Sequence, residues 1–291
     1  MPTTVFHPTR RLLGATVASA LLLLTVGCTS TGSGTANTMA GDVQLAGAGH
    51  LKTCTHLPYP PFQSEQNGKV VGFDVDLIDL VAKKLGVTQE IVDTPFENFK
   101  TGAFLNSGQC DIAAAGITIT AERKKNVEFS VPYFDATQAV LARKGVGAAS
   151  LADLAARGKK LGTQAQTTGE EYAQKQGFNP VSFESSDALL NGLRTSQVDA
   201  VVIDYPVVQG WLKDSANSAA FDQIDNLNTG EQYGFSLKKG NAKLLAVVNQ
   251  VIAEARADGT YRQSYEKWIG PLTTAQGDAS AMAGATPSAA Q

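Results

Sequence analysis

The sequence predicts an α/β protein made of two doubly wound lobes, joined by a two-segment hinge near residues 138–143 and 232–237, with a ligand cleft between the lobes. Three observations predict this fold. Apolar, strand-like runs alternate with helical segments, and the alternation restarts after an extended stretch near residues 138–143. Polar and charged residues also collect where the predicted strands end. Ligands of doubly wound sheets bind beyond those carboxyl ends.

Elements of the first half follow from local signals. An apolar strand precedes a proline-rich turn, and Asn67-Gly68 is typical of a hairpin. A helix carries Leu77, Leu80 and Val81 on one stripe and stops at Gly86. The nearly continuous apolar runs favour parallel strands covered on both faces. The predicted elements are strands 51–56, 89–94, 111–115 and 138–143, and helix 76–85.

The second half repeats the pattern. Thr168 with Glu171 indicates a capping box, and Ser186 indicates another helix start. Residues 200–204 form a β-branched apolar run that ends in a carboxylate, Asp204. The predicted elements are helices 151–156, 168–176, 186–197, 244–255 and 261–268, and strands 160–163, 200–204 and 233–237.

Composition limits the class of protein. The 291 residues are 43% hydrophobic and 18% charged, as in a globular protein. A net charge of −3 argues against binding to nucleic acid, which normally requires a basic face. Three scattered histidines are too few for a metal site, so we expect no metal and no cofactor.

The N-terminus predicts export. Arg10 and Arg11 precede an apolar stretch, residues 12–26, which is short for a membrane span. Gly27-Cys28 follows and resembles a bacterial lipoprotein signal, in which the cysteine is acylated. The paired arginines leave the export route, general secretion or twin-arginine, open. We expect the protein on the outer face of the cytoplasmic membrane, anchored by lipid on Cys28.

The predicted organisation has five parts. Ser, Thr, Gly and Ala dominate a tether after the signal and a tail at the C-terminus. The parts are a signal peptide 1–27, a flexible tether 28–49, a first lobe 50–141 with 236–270, a second lobe 142–235, and a disordered tail 271–291.

Cys54 and Cys110 carry opposing signals. Cysteine pairs outside the cytoplasm are commonly bridged. If both strands end at one face, however, the two residues are offset by four positions, or ~13 Å. A disulfide needs Cα atoms within about 7 Å. The register therefore favours free thiols.

Residues 116–123 suggest an anion site. Thr118 and Thr120 follow the turn at Gly116, and Thr120 is placed to cap a helix that carries Arg123. Backbone N–H groups at a helix start and a guanidinium fork both suit a carboxylate. An ordinary strand–turn–helix with a surface arginine is the alternative.

The ordered motifs resemble the bacterial extracellular solute-binding proteins of family 3, which serve amino-acid ABC importers. The resemblance covers almost all of residues 51–270 and implies a periplasmic-binding-protein-like fold of type II. Its motifs are YPPF at 59–62, GFDVDL at 72–77, TIT at 118–120 with Arg123, FSVPY at 129–133, VDA at 198–200 with Asp204, and DGTY at 258–261 continuing to Trp268.

The resemblance also implies roles at the main-chain end of an amino-acid ligand. Arg123 would pair with the α-carboxylate, assisted by Thr118, by Thr168 and by the backbone near Gly116. Asp204 would accept from the α-ammonium, with the Gly116 carbonyl as a second acceptor. The charge pattern supports these roles independently. A cation and hydroxyls suit one end of a zwitterion, and an anion suits the other.

The side-chain end is expected at other residues. Tyr59 and Phe96 would pack on the ligand. His56 stands where relatives that bind basic amino acids have an aspartate, and this difference argues against a basic substrate. Gln164, together with His56 and Gln166, presents amide and imidazole groups. These residues indicate a polar or acidic amino acid such as glutamine or glutamate.

The expected function is substrate capture by hinge closure and delivery to an ABC permease, by a monomer without catalytic residues. One alternative is a ligand sensor. Another is an enzyme resembling cyclohexadienyl or arogenate dehydratases, which would need a general acid in the cleft. Glu170 and Glu171 are the nearest glutamates in sequence, but helix capping explains them.

Overall fold

The computed structural model describes residues 38–40 and 42–272. The predicted signal peptide, the predicted acylation site Cys28 and most of the C-terminal tail lie outside the described residues. No helix in the described part has both the length and the apolar character required to cross a membrane.

Strands and helices alternate along the chain. The strands are β1 Thr38–Ala40, β2 Val43–Leu45, β3 His50–Thr55, β4 Ser64–Gln66, β5 Lys69–Val71, β6 Thr88–Asp93, β7 Ile112–Ala113, β8 Glu128–Phe129, β9 Phe134–Arg143, β10 Leu161–Gln164, β11 Val181–Phe183, β12 Ala200–Asp204, β13 Phe221–Tyr233 and β14 Ser236–Leu237. The helices are α1 Phe73–Lys84, α2 Asn98–Thr101, α3 Ala103–Asn106, α4 Leu151–Ala156, α5 Thr168–Lys175, α6 Ser186–Arg194, α7 Tyr205–Leu212, α8 Ser215–Ala220, α9 Ala242–Asp258 and α10 Thr260–Trp268.

Two five-stranded sheets organise these elements. The first has the order β6-β3-β7-β14-β8, and the second has the order β11-β10-β12-β9-β13. In each sheet the strands that follow the alternating pattern are parallel: β3 with β6 and β7, and β10 with β11 and β12. All five residues of β12 are buried, as expected for a sheet covered on both faces. The predicted α/β fold class is confirmed.

The chain crosses between the sheets twice, and the two crossings lie side by side. The first follows β8 and the second follows β13. The backbone N–H of Tyr133 donates to the carbonyl of Tyr233 (2.9 Å), and that of Ser130 donates to the carbonyl of Phe235 (2.9 Å). The rings of Tyr133 and Phe235 stack with centroids 4.1 Å apart.

The second crossing falls within residues 232–237, one of the two hinge segments that the sequence suggests, whereas the first lies before the other suggested segment, residues 138–143. That segment lies inside β9, where Gln138 pairs with Asp204 of β12 and Leu227 of β13. The strand begins at Phe134 because its alternating side chains are already buried there. The lobe ranges 50–141 with 236–270 and 142–235 remain a prediction, and the sheets place the changeover near residues 130–133 and 234–235.

The fold also takes in residues from the predicted tether 28–49. Val43 and Leu45 of β2 are 4% and 1% exposed and belong to the main core. Asp111 holds this segment, since its carboxylate accepts from the backbone N–H of Ala46 (2.7 Å) and of Lys52 (2.9 Å). Alternate apolar residues suffice to anchor a short edge strand in an otherwise polar segment.

Cys54 and Cys110 form a disulfide with Cα atoms 5.7 Å apart, so the register argument for free thiols is wrong. That prediction assumes that Cys110 lies within an extended strand. Strand β7 instead begins at Ile112, and Cys54 pairs with Ala113. Before β7 the chain turns, with the Cys110 N–H donating to the carbonyl of Phe104 (3.3 Å), which brings its Cα close to Cys54.

Two helix N-cap residues lie one position earlier than the sequence indicates. Thr167, not Thr168, caps α5, because its hydroxyl accepts from the N–H of Glu170 (3.2 Å). Ser185, not Ser186, caps α6. Each site offers two adjacent hydroxyl residues, and sequence alone does not choose between them. The shift leaves the Thr168 hydroxyl free of capping.

Candidate functional site

A cavity lies between the two sheets, at the carboxyl ends of their parallel strands. Its wall joins residues from both sheets and combines a cation, a carboxylate, hydroxyls and amides with a few apolar groups. The lining residues are Tyr59, Phe96, Ala115, Gly116, Thr118, Arg123, Gln138, Gln164, Thr167, Thr168, Val202, Ile203 and Asp204.

Arg123 supplies the cation and is 4% exposed. It lies in a 3₁₀ turn, Arg123–Lys125, rather than the predicted helix, and the N-cap is Glu122 rather than Thr120. The Thr120 hydroxyl accepts from the Arg123 N–H (3.1 Å). The Arg123 guanidinium donates to the carbonyls of Thr118 (2.9 Å) and Gln166 (3.3 Å) and lies 5.8 Å from the ring centroid of Phe96. The carbonyls hold the fork in place, and its remaining N–H groups are available to a ligand.

The charge of Arg123 is not neutralised locally. Within residues 42–272 no carboxylate forms an ion pair with it. Burial lowers the pKa of Arg123 below its usual value, while Glu171, Glu231 and Asp204 oppose the shift from a distance. An arginine remains charged under such conditions. A buried, unpaired cation favours an anionic ligand group.

Thr118 and Thr168 face each other across the cavity. Their hydroxyl oxygens are 3.4 Å apart, one from the segment after β7 and the other from the first residue of α5. The N-terminus of an eight-residue helix adds a positive partial charge beside Thr168. The two hydroxyls therefore border the same anion-favouring region as Arg123.

Asp204 supplies the carboxylate at the end of β12 and is 7% exposed. It accepts hydrogen bonds from the hydroxyls of Tyr59 (2.5 Å) and Tyr233 and from the Gln138 amide nitrogen. Burial raises the pKa of Asp204 to about 6, although the hydrogen bonds from Tyr233 and Tyr59 counteract the shift. The carboxylate is held ionised near neutral pH and is suited to a cationic group.

Gly116 forms the turn between these groups. Its φ of 58° lies in the left-handed region, and a Cβ would lie 3.3 Å from the rings of Tyr59 and Tyr233. Its N–H donates to the buried carboxylate of Asp74 (2.9 Å), which also accepts from the Tyr133 hydroxyl (2.6 Å). The Gly116 N–H is therefore committed to the protein, whereas the sequence suggested that backbone here assists an anion.

The amide side chain of Gln164 lies in the cavity wall, at the end of β10. Gln138 and Tyr233 are site residues that the sequence reasoning missed. A lone amide inside the apolar strand β9 was a signal for Gln138. Nothing local marked Tyr233, which reaches the site only because a crossing segment passes beside it.

His56 is 9% exposed and does not line the cavity. Its Nδ1 lies 3.1 Å from the carbonyl of Thr94, and since a carbonyl only accepts, Nδ1 carries the proton. Its ring packs at 5.9 Å from that of Phe96. Of the predicted site residues, His56 is therefore outside the cavity lining. The others are brought together in that lining: Tyr59, Phe96, Gly116, Thr118, Arg123, Gln164, Thr168 and Asp204.

Other residues singled out by sequence have structural contacts. Asp76 accepts from the side chains of Ser264 (2.9 Å) and Trp268 (2.7 Å), which ties α1 to α10. Phe99 and Phe104 lie in the core around the disulfide. Within the described ranges, no group of three or more His, Cys, Asp or Glu side chains is arranged to hold a metal ion.

Two sheets joined by paired crossings, with a polar cavity at their strand ends, define a solute-binding protein of the type II periplasmic-binding-protein fold. The chain belongs to the bacterial extracellular solute-binding proteins, family 3, whose profile matches residues 51–271. Its role is that of a solute-binding protein.

Individual relatives are described as amino-acid-binding proteins, which is consistent with membership of this family. The L-cystine-binding protein TcyJ of Escherichia coli (strain K12) is 33% identical over 225 residues, which cover 74% of this chain and 81% of that protein. An ancestral arginine-binding protein, solved bound to glutamine, is 40% identical with a TM-score of 0.70, covering 76% of this chain and 98% of its own. An arginine-bound structure of the same description has the same identity and TM-score and is covered to 99%.

A further neighbour bears on the enzyme alternative. The ancestral amino-acid-binding protein AncCDT-1, described as a precursor of cyclohexadienyl dehydratase, is 34% identical with a TM-score of 0.67, covering 76% of this chain and 95% of its own. The relatives of this chain are mostly binding proteins rather than enzymes.

Proposed function

We propose that this protein captures an amino acid outside the cytoplasm and delivers it to the permease of an ABC importer. The observation that carries the proposal is the placement of an unpaired buried cation, Arg123, and a buried carboxylate, Asp204, in the wall of one cavity. A zwitterionic main chain satisfies both. The names of the relatives, which include cystine- and arginine-binding proteins, support the same substrate class.

In this proposal the ligand's α-carboxylate takes the free N–H groups of Arg123 and the hydroxyls of Thr118 and Thr168. Charge-assisted hydrogen bonds of this kind are about twice as strong as neutral ones. The α-ammonium donates to Asp204 and to the Gly116 carbonyl. The ring of Tyr59 lies at the ammonium end, since its hydroxyl is 2.5 Å from the Asp204 carboxylate.

Hinge closure is the proposed mechanism of capture. Contacts already join the two sheets around the cavity, including Tyr59 to Asp204 (2.5 Å) and the Ser186 hydroxyl to the Pro58 carbonyl (2.8 Å). A ligand held from both sides favours the closed state by its differential contacts. The paired crossings near Tyr133 and Phe235 are the segments that would absorb the rotation.

Anchoring and assembly are also proposals. The sequence supports a lipid on Cys28, a location on the outer face of the cytoplasmic membrane, and a monomer. Mass spectrometry of the protein from bacterial membranes tests the anchor: we expect a diacylglycerol mass on Cys28 that Cys28→Ser lacks. Export without any lipid mass would contradict it.

We also propose that the protein has no catalytic activity. Dehydration of a prephenate-like substrate requires a general acid in the cleft. Among residues 42–272, Asp204 is the one carboxylic acid in the cavity wall, and it already accepts three hydrogen bonds. Turnover of such a substrate by the purified protein would contradict this part of the proposal.

The clamp is tested by titration calorimetry with the twenty L-amino acids. For the ligand that binds, Arg123→Ala should cost about 3 kcal/mol, or a roughly 150-fold weaker Kd, because the α-carboxylate loses a charge-assisted pair. Arg143→Ala is the matched control, since Arg143 pairs with Asp199 (2.7 Å) away from the cavity. Equal affinities of wild type and Arg123→Ala would refute the clamp.

A further inference from the structure

The side chain of Gln164 is an unsatisfied amide in the cavity wall. The residue is 2% exposed, and within residues 42–272 neither its amide nitrogen nor its amide oxygen has a hydrogen-bond partner. Leaving a buried polar group unpaired costs about 1–3 kcal/mol. Buried side-chain amides are normally paired with protein or ordered water. A donor nitrogen with two N–H groups and an acceptor oxygen are therefore available to a ligand at this point of the wall.

Gln138 adds a second acceptor. Its amide nitrogen donates to Asp204 and to Glu231 (3.0 Å), and two carboxylates fix the orientation of the amide because a carboxylate only accepts. Its oxygen is buried without a partner in the described part of the chain. This oxygen lies 2.9 Å from the position of a Cβ on Gly169, so it points toward the start of α5.

In the proposed function, the charged groups of the cavity wall bind the α-carboxylate and the α-ammonium of the ligand. The lining residues include one cation, Arg123, and one carboxylate, Asp204. The other polar lining groups are neutral hydroxyls and amides. A charged ligand side chain would be buried without a counter-ion, which is costly in a cavity of this kind.

We propose that the ligand carries a neutral carboxamide side chain, of the glutamine type, and that Gln164 reads it. The proposal rests on the amino-acid function proposed above. A carboxamide brings two N–H donors and one carbonyl acceptor. The wall offers two unpaired acceptor oxygens, on Gln138 and Gln164, and one unpaired amide nitrogen, on Gln164, which carries two N–H groups. The two sets match in kind, because the ligand's N–H groups can meet the two oxygens and its carbonyl can accept from the Gln164 nitrogen.

Other side chains match less well. The carboxylate of glutamate brings no donor at neutral pH, so it faces the two amide oxygens unfavourably. Lysine and arginine bring donors but no acceptor for the Gln164 nitrogen, and they lack a counter-ion. An apolar side chain leaves all three atoms buried and unpaired. The expected order is glutamine first, with glutamate and the basic amino acids at least tenfold weaker.

The experiment compares four ligands by titration calorimetry: L-glutamine, L-glutamate, L-arginine and L-leucine. Wild type should bind glutamine most tightly. Gln164→Met, which keeps the length and removes both polar groups, should weaken glutamine by roughly 10- to 100-fold and leucine by less than threefold. Gln174→Met is the matched control, because Gln174 is exposed on α5, and it should bind as wild type does.

The outcomes separate this inference from the proposed function. Tighter binding of arginine, glutamate or leucine than of glutamine by wild type overturns the inference and leaves amino-acid binding standing. So does an equal loss of glutamine and leucine affinity in Gln164→Met. Binding of none of the twenty amino acids overturns both. Circular dichroism of each variant, with a melting curve, verifies that it is folded.

Discussion

We expect the affinity for ligand to fall at acidic pH because of the buried carboxylate of Asp204. The residue is 7% exposed, and burial raises its pKa to about 6. In the proposed clamp a ligand ammonium binds the ionised form. Protonation of Asp204 removes that attraction, so proton and ligand compete for the same carboxylate.

The magnitude follows from the fraction of protein that is competent to bind. At pH 8 nearly all molecules have Asp204 ionised. At pH 6 about half do, and the apparent Kd doubles. At pH 5, one unit below the pKa, about one molecule in eleven is ionised, so the apparent Kd is roughly elevenfold higher than at pH 8. The affinity is thus lost as the pH falls through 6.

Titration calorimetry at pH 5, 6, 7 and 8 with L-glutamine, or whichever amino acid binds, measures this profile. Buffers with different ionisation enthalpies count the protons released on binding. We expect about 0.9 proton at pH 5 and almost none at pH 8, because the ligand displaces a proton only where Asp204 carries one.

Three variants separate Asp204 from its neighbours. Asp204→Asn should bind weakly with a flat profile. Glu231→Gln should move the profile to lower pH, since the charge of Glu231 contributes to the raised pKa of Asp204. His56→Gln should keep the wild-type profile. Constant or increasing affinity between pH 8 and pH 5 in the wild type would refute the reasoning.

Two further predictions concern stability. Asp74 is fully buried against Tyr133 and Gly116, and burial raises its pKa from 3.8 to about 7, so ionisation costs the folded state about 4 kcal/mol. The protonated carboxyl of Asp74 therefore stabilises the folded state below pH 4, and this stabilisation is lost as the pH rises through 7. Urea unfolding at pH 4–8 should show this fall in the free energy of unfolding for wild type but not for Asp74→Asn. The same pH dependence in both proteins would contradict the prediction. The Cys54–Cys110 bridge closes a 56-residue separation, so Cys54→Ala/Cys110→Ala should lose about 4 kcal/mol of unfolding free energy. Reduced wild type is the control, and equal urea midpoints for reduced and oxidised protein would count against the bridge as a stabilising element.

Sequence by itself determined the local elements and the chemical types at the site. The alternation of apolar strands and helices, the hairpin at Asn67-Gly68 and the burial of residues 200–204 depend on neighbours a few positions apart, and the structure has them. Arg123 and Asp204 were each predicted to lie near a strand end, one in each of two lobes that face a common cleft. The resemblance to the family supplied their roles at the two ends of one ligand.

Tertiary structure decided everything that depends on register between distant segments. Cys110 reaches Cys54 because the chain turns before β7, and Gln138 reaches Asp204 because β9 pairs with β12. The Gly116 N–H is taken by Asp74, 42 residues earlier in the chain. Such pairings follow from how whole strands align, and a shift of one residue reverses which side chains face the cavity. No local pattern contains that information.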